Sequence, residues 1–127
     1  MLVDRPTDPA GTKNWEGATM AAWGVETSGD DETDFLVAFG HDDAGKLAVR
    51  AARLDDQTGG EACTGTGSVG PQGEYVATVP VGCLGDPPSL RYAAAMTWDT
   101  DPANESAPAV GDTAPDGGTP AGPVTRP

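Results

Sequence analysis

The sequence predicts an all-β protein, an antiparallel β-sandwich of about six strands held by one disulfide. Three observations lead to this fold class. Short apolar segments recur along the chain, turns rich in glycine and proline separate them, and there are only two cysteines. The length of 127 residues suits one domain. We expect an N-terminal arm over 1–14, the sandwich over 15–99 and a flexible, Pro- and Gly-rich tail over 100–127.

The first three strands are expected over 18–25, 34–40 and 46–54. The second has apolar side chains on both faces, which is typical of a central strand that is covered on both sides. Residues 41–45 (HDDAG) follow it and have the composition of a hairpin turn. The third segment, KLAVRAARL, also suits a helix, but the hairpin turn before it favours a strand.

Three further strands are expected over 62–69, 74–81 and 89–98. Pro80 ends the second of these or places it at a sheet edge, because proline cannot donate a backbone hydrogen bond. In the last segment, alternate residues are apolar, which predicts one buried face.

Cys63 and Cys83 lie near the ends of two of these strand-like segments. They have neither the CxxC spacing nor the nearby histidine pair of a zinc site. We therefore expect a disulfide, which stabilises the fold by roughly 3 kcal/mol in the chain-entropy model. A disulfide implies an oxidising compartment, which here means an extracellular or cell-surface location. The alternative is two buried free thiols in a cytosolic protein.

The chain is strongly acidic, with a net charge of −13 from 20 acidic and 7 basic side chains. Such a surface repels nucleic-acid phosphates and anionic membranes, so neither is an expected partner. No apolar run is long enough for a transmembrane helix. The charge suits solubility, a basic partner or calcium binding.

A dense acidic group lies between the first two predicted strands: Asp30, Asp31, Glu32 and Asp34. Calcium binds many oxygen ligands, so these are candidate calcium ligands, although their spacing is not that of an EF-hand loop. Antiparallel strands bring alternate loops to the same end of a domain. Further candidates are Asp55, Asp56 and Glu61 at the same end, and Asp42, Asp43, Asp99 and Asp101 at the opposite end. The alternative is that all are solvated turn residues.

Haem ligation and catalysis have less support in the sequence. His41 is the only histidine, and it is expected in a polar turn, while Met20 and Met96 suit the core. The sequence has no nucleophile elbow, zinc-protease motif or phosphate-binding glycine loop. We therefore expect a protein that is not an enzyme.

Aromatic side chains are the usual platform for sugars. Trp23, Tyr92 and Trp98 fall on apolar strands and are expected in the core. Trp15 precedes the first strand and is the candidate ligand-binding ring, although it also suits a cap over the open end of the sandwich.

The segment VATVPVGCLGDPPSLRYAAAMTWDTDP resembles the closing hairpin of small secreted β-sandwich domains of actinobacteria. Their turn reads P-x-x-C-L-G-x-P, and it is matched here by Pro80, Cys83, Leu84, Gly85 and Pro87. The segment WGVETSGDDETDFLVAFG resembles their x-D-T-x-G-D-g-x-x-D-y hairpin. The matching residues there are Glu26, Thr27, Gly29, Asp30, Asp34 and Phe35.

Those domains are similar to DOMON-type and carbohydrate-binding sandwiches, so the resemblance implies the fold and the disulfide more than a function. We expect a non-catalytic extracytoplasmic module, either an accessory binding domain or a structural surface component. One alternative is a self-assembling surface or virion subunit that pairs strands with other chains at an open sheet edge. The other is a domain that binds haem or a sugar such as a surface glycan.

Overall fold

The structure is a computed structural model of the chain. It describes residues 20–42, 44, 46–54, 63–70, 74–99, 109–114 and 120–125. The strands are β1 (Met20–Glu26), β2 (Phe35–His41), β3 (Leu47–Arg53), β4 (Cys63–Val69), β5 (Tyr75–Thr78), β6 (Ser89–Asp99), β7 (Ala109–Ala114) and β8 (Ala121–Thr125). A 3-10 turn over Val81–Leu84 joins β5 to β6.

Strands β1 to β6 lie where the sequence predicts strands, with ends that shift by a few residues. The expected strand over 74–81 is the most shortened, because β5 ends at Thr78 and Pro80 precedes the 3-10 turn. Proline cannot extend the ladder, since it has no backbone N–H to donate. The segment over 46–54 is the strand β3, as the hairpin turn indicates.

The eight strands form one sheet in the order β5-β4-β3-β2-β1-β6-β7, and β8 also pairs with β6. Every pairing is antiparallel. The prediction of antiparallel β structure is therefore confirmed. The sheet curls into a half-barrel, and within the described ranges it is a single sheet rather than the expected pair of packed sheets.

Strand β4 changes its pairing partner along its length. Its first residues, Cys63 to Gly65, pair with β3, and its last four pair with β5. Gly67 lies so close to Phe39 of β2 that an added Cβ would come within 2.7 Å of ring atom Cδ2. Glycine lets the backbone approach the core this closely, which brings β5 back over β2.

The core lies on the inner face of the half-barrel. Alternate residues of β2 point inward, and Phe39 is fully buried against Tyr75, with ring centroids 6.4 Å apart and an edge-to-face geometry. Leu84 of the 3-10 turn is also buried there. The other members are Ala21, Val25, Phe35, Val37, Val49 and Ala51.

The disulfide between Cys63 and Cys83 is confirmed, with Cα atoms 5.7 Å apart. It joins the start of β4 to the 3-10 turn, which is next to β3 at the same end of the sheet. The disulfide is consistent with an oxidising environment.

Two segments of the region expected to be a flexible tail are strands. In this region β7 pairs with residues 94–99 of β6, and β8 pairs with residues 89–92. Both run antiparallel to β6, on the side of β6 that does not pair with β1. These small-residue and proline-containing segments have no apolar alternation, and they pair with β6 through backbone ladders. The arm over 1–14 lies outside the described residues.

Candidate cation site in the β1–β2 loop

The β1–β2 loop is organised by one carboxylate. Oδ2 of Asp34 accepts hydrogen bonds from the backbone N–H of Thr27 at 2.7 Å and of Ser28 at 3.1 Å. The hydroxyls of the same two residues donate to it at 3.1 and 3.0 Å. The backbone N–H of Asp34 donates to Val25 O at 2.9 Å, which closes the base of the loop. Asp34 therefore holds the first and last residues of the loop together.

The Thr27 N–H, aided by the donors of Ser28, lowers the pKa of Asp34 below its usual 3.8, although burial opposes this shift. A carboxylate with a lowered folded-state pKa stabilises the fold above its unfolded-state pKa, and this contribution is lost as the pH falls through the folded-state value.

We expect Asp34→Asn to be less stable than the native protein at pH 7, because the amide is a weaker acceptor for the four donors. The difference should shrink as the pH falls below the usual carboxyl pKa of 3.8 and through the lowered pKa of folded Asp34, because the carboxylate then becomes protonated. Urea midpoints of both proteins at several pH values measure it. A difference that does not shrink in acid would contradict the role assigned to the Asp34 charge.

Glu26, the last residue of β1, is only 2% exposed. One carboxylate oxygen, Oε1, accepts a hydrogen bond from the backbone N–H of Gly29, and the other, Oε2, lies 2.5 Å from Arg91 Nε. Gly29 and Asp31 have positive φ values of 79° and 65°, so the chain turns sharply back toward Glu26 there. The loop thus folds over the end of β1 and covers a charged side chain.

Arg91 reaches this loop from the neighbouring strand, because β1 pairs with β6 in a register that places Glu26 opposite Arg91. Its Nη2 donates to Asp31 Oδ1. The hydrogen bond to Asp31, which has the larger effect, and the hydrogen bond to Glu26 raise the pKa of Arg91 above its usual value. Arg91 is therefore a fixed positive charge beside the acidic loop.

Carboxylate oxygens of Glu26, Asp30 and Asp34 lie within 4.8 Å of one another, and this group could hold a metal ion. The three side chains range from buried (Glu26) through half-buried (Asp34) to exposed (Asp30). Asp30 is itself fixed, since its Oδ1 accepts a hydrogen bond from the N–H of Glu32 at 3.0 Å. A cleft of about 370 Å³ opens beside the group, between the loop, Arg91 and Pro123.

The structure brings together two of the four carboxylates expected as calcium ligands, Asp30 and Asp34. Asp31 bonds to Arg91 instead, and Glu32 is an exposed side chain outside the group. Glu26 was not among the expected ligands, because an isolated glutamate at a strand end has no spacing signal. The hairpin resemblance included Glu26 in its matching residues, and that was the available hint.

Of the acidic residues expected at the opposite end, Asp42 is the one whose side chain the structure describes. Its Oδ1 accepts hydrogen bonds from the N–H groups of Ala44 and Lys46, both at 2.9 Å. The Lys46 N–H makes the largest contribution to lowering the pKa of Asp42. Asp42 is thus explained as a turn residue. The side chains of the remaining candidates, Asp43, Asp55, Asp56, Glu61, Asp99 and Asp101, lie outside the described part of the structure.

Of the residues considered for haem, the two methionines do not converge. Met20 pairs with Thr97, whereas Met96 pairs with Ala21 on the same two strands, so the two methionines lie on opposite faces of the sheet. Met96 packs against the core, as expected for a core methionine.

Among the aromatic residues, Tyr92 differs from its expected place in the core. It is 37% exposed. Strand β6 is next to the last strand in the sheet order, and the described residues contain no second sheet that could cover Tyr92. Trp23 is partly buried and packs against the core. Trp15 and the side chain of Trp98 lie outside the described residues.

Comparisons with known proteins identify no relative. No protein-family model matches the chain, and no curated protein or solved structure matches it either. In the part of the chain that the structure describes, no helix has the length and hydropathy needed to cross a membrane.

Proposed function

We propose that this protein is a non-catalytic, extracytoplasmic β module whose β1–β2 loop binds calcium. The observation that carries the proposal is the grouping of the Glu26, Asp30 and Asp34 carboxylates within 4.8 Å at one end of the sheet. The oxidising environment implied by the disulfide supports the extracytoplasmic part. The absence of familiar catalytic motifs from the sequence supports a binding or structural role.

The chemistry of the group favours calcium over softer or smaller metals. Its side chains offer only carboxylate oxygens, whereas zinc and copper prefer nitrogen or sulfur ligands. Magnesium demands nearly ideal octahedral geometry and gives up its water reluctantly, while calcium accepts irregular oxygen sites in loops. Asp30 is exposed, so a bound calcium can complete its coordination with water.

The test is thermal unfolding of the oxidised protein in EDTA and then in millimolar calcium. At a calcium concentration of roughly 100 times Kd, binding adds about 2.7 kcal/mol to the free energy of unfolding, which raises the midpoint by about 10 °C. Magnesium at the same concentration is expected to give a much smaller rise. An unchanged midpoint in calcium, with direct titration calorimetry also flat, would overturn the proposal.

Variants test whether calcium stabilises the protein by binding to this loop or only by screening its negative charge. Glu26→Gln is expected to abolish the calcium-induced rise, whereas the matched control Asp42→Asn, at the opposite end of the sheet, should retain it. Arg91→Gln removes the positive charge that lies 2.5 Å from Glu26, so we expect a lower midpoint in EDTA but a larger rise with calcium. A rise that Glu26→Gln does not reduce would place the calcium elsewhere.

We also propose a second function, assembly through strand pairing. The observation that favours it is that the described sheet does not close, which leaves β5 at one end of the strand order. An unpaired edge offers backbone N–H and C=O groups to a strand of another chain. Within the described residues β5 is short, and its Val76 side chain is 42% exposed.

The assembly proposal predicts a concentration-dependent oligomer, measured by light scattering after size-exclusion chromatography. Val76→Lys places a charge on the edge strand and should return the protein to a monomer, because lysine on an edge opposes strand pairing. Thr66→Lys, an exposed position one strand inward on β4, is the control and should leave the mass unchanged. A native monomer at high micromolar concentration would rule out self-assembly.

A further inference from the structure

We draw no further inference here: the strongest candidate beyond the β1–β2 loop, the partly exposed apolar patch of Leu90, Tyr92 and Val124 on β6 and β8, lies on an unpartnered sheet face, and nothing in the described part of the structure shows what covers it.

Discussion

Replacing Phe39 by alanine is expected to lower the free energy of unfolding by about 3–5 kcal/mol, the usual range for a buried aromatic residue. Phe39 is fully buried, packs edge-to-face on Tyr75 and lies at the centre of the half-barrel. Its removal leaves a cavity that the surrounding strands can fill only in part, because they are fixed by their backbone ladders. Urea unfolding of the oxidised proteins, followed by tryptophan fluorescence, measures the change.

Phe39 also lies directly against Gly67 of β4. Gly67→Ala alone should be destabilising, because the added methyl group would overlap the Phe39 ring. In a Phe39→Leu background the ring is gone, and the same Gly67→Ala change should cost much less. The milder leucine background keeps the protein folded for the comparison.

A double-mutant cycle tests this coupling directly. We expect the two changes together to be less destabilising than the sum of the single changes. Gly82→Ala is a suitable control, since an added Cβ at Gly82 meets nothing within 4 Å. Strictly additive energies for Phe39→Leu and Gly67→Ala would show that β4 does not approach the core as described.

Loss of the disulfide is the second large effect. The bond closes a segment with a sequence separation of 20, for which the chain-entropy model gives a stabilisation of about 3 kcal/mol. Replacing both Cys63 and Cys83 by alanine should therefore lower the unfolding midpoint by about 10 °C. Calorimetry of the oxidised protein and of the double variant measures the difference.

Reduction supplies the matching control. A reducing agent should lower the midpoint of the native protein to about that of the double alanine variant and leave the variant itself unchanged. Equal midpoints for the oxidised and reduced native protein would contradict a disulfide between Cys63 and Cys83, or show that the unfolded chain gains no freedom when it is broken.

Much of the strand framework follows from local sequence patterns. β2 was recognisable because Phe35, Val37 and Phe39 alternate with smaller apolar residues. The turn before β3 was recognisable from the hairpin-type composition of residues 41–45, and in the structure Asp42 accepts hydrogen bonds from the backbone of that turn. The shortening of β5 likewise reflects Pro80, whose effect depends only on its own backbone chemistry.

Other features had no local signal. β7 and β8 contain few side chains that could form a core, and they pair with β6 through the backbone. Backbone donors and acceptors are the same in every sequence, so composition suggested a flexible tail. The close approach of β4 to the core depends on the small space between Gly67 and Phe39, residues that are far apart in the chain. A glycine-rich strand alone does not reveal which ring it will cover.

The candidate site, too, was predictable from the sequence only in part. The acidic loop itself was visible in the sequence, and so was the pairing of the cysteines. The sequence by itself thus determined strands β1 to β6, the turns between them and the disulfide, because alternation, turn chemistry and cysteine number can be recognised without knowing the tertiary structure. Only the tertiary structure decided that Glu26 joins Asp30 and Asp34 while Asp31 bonds to Arg91. That choice depends on the β1–β6 register, which brings together side chains that lie 65 residues apart in sequence.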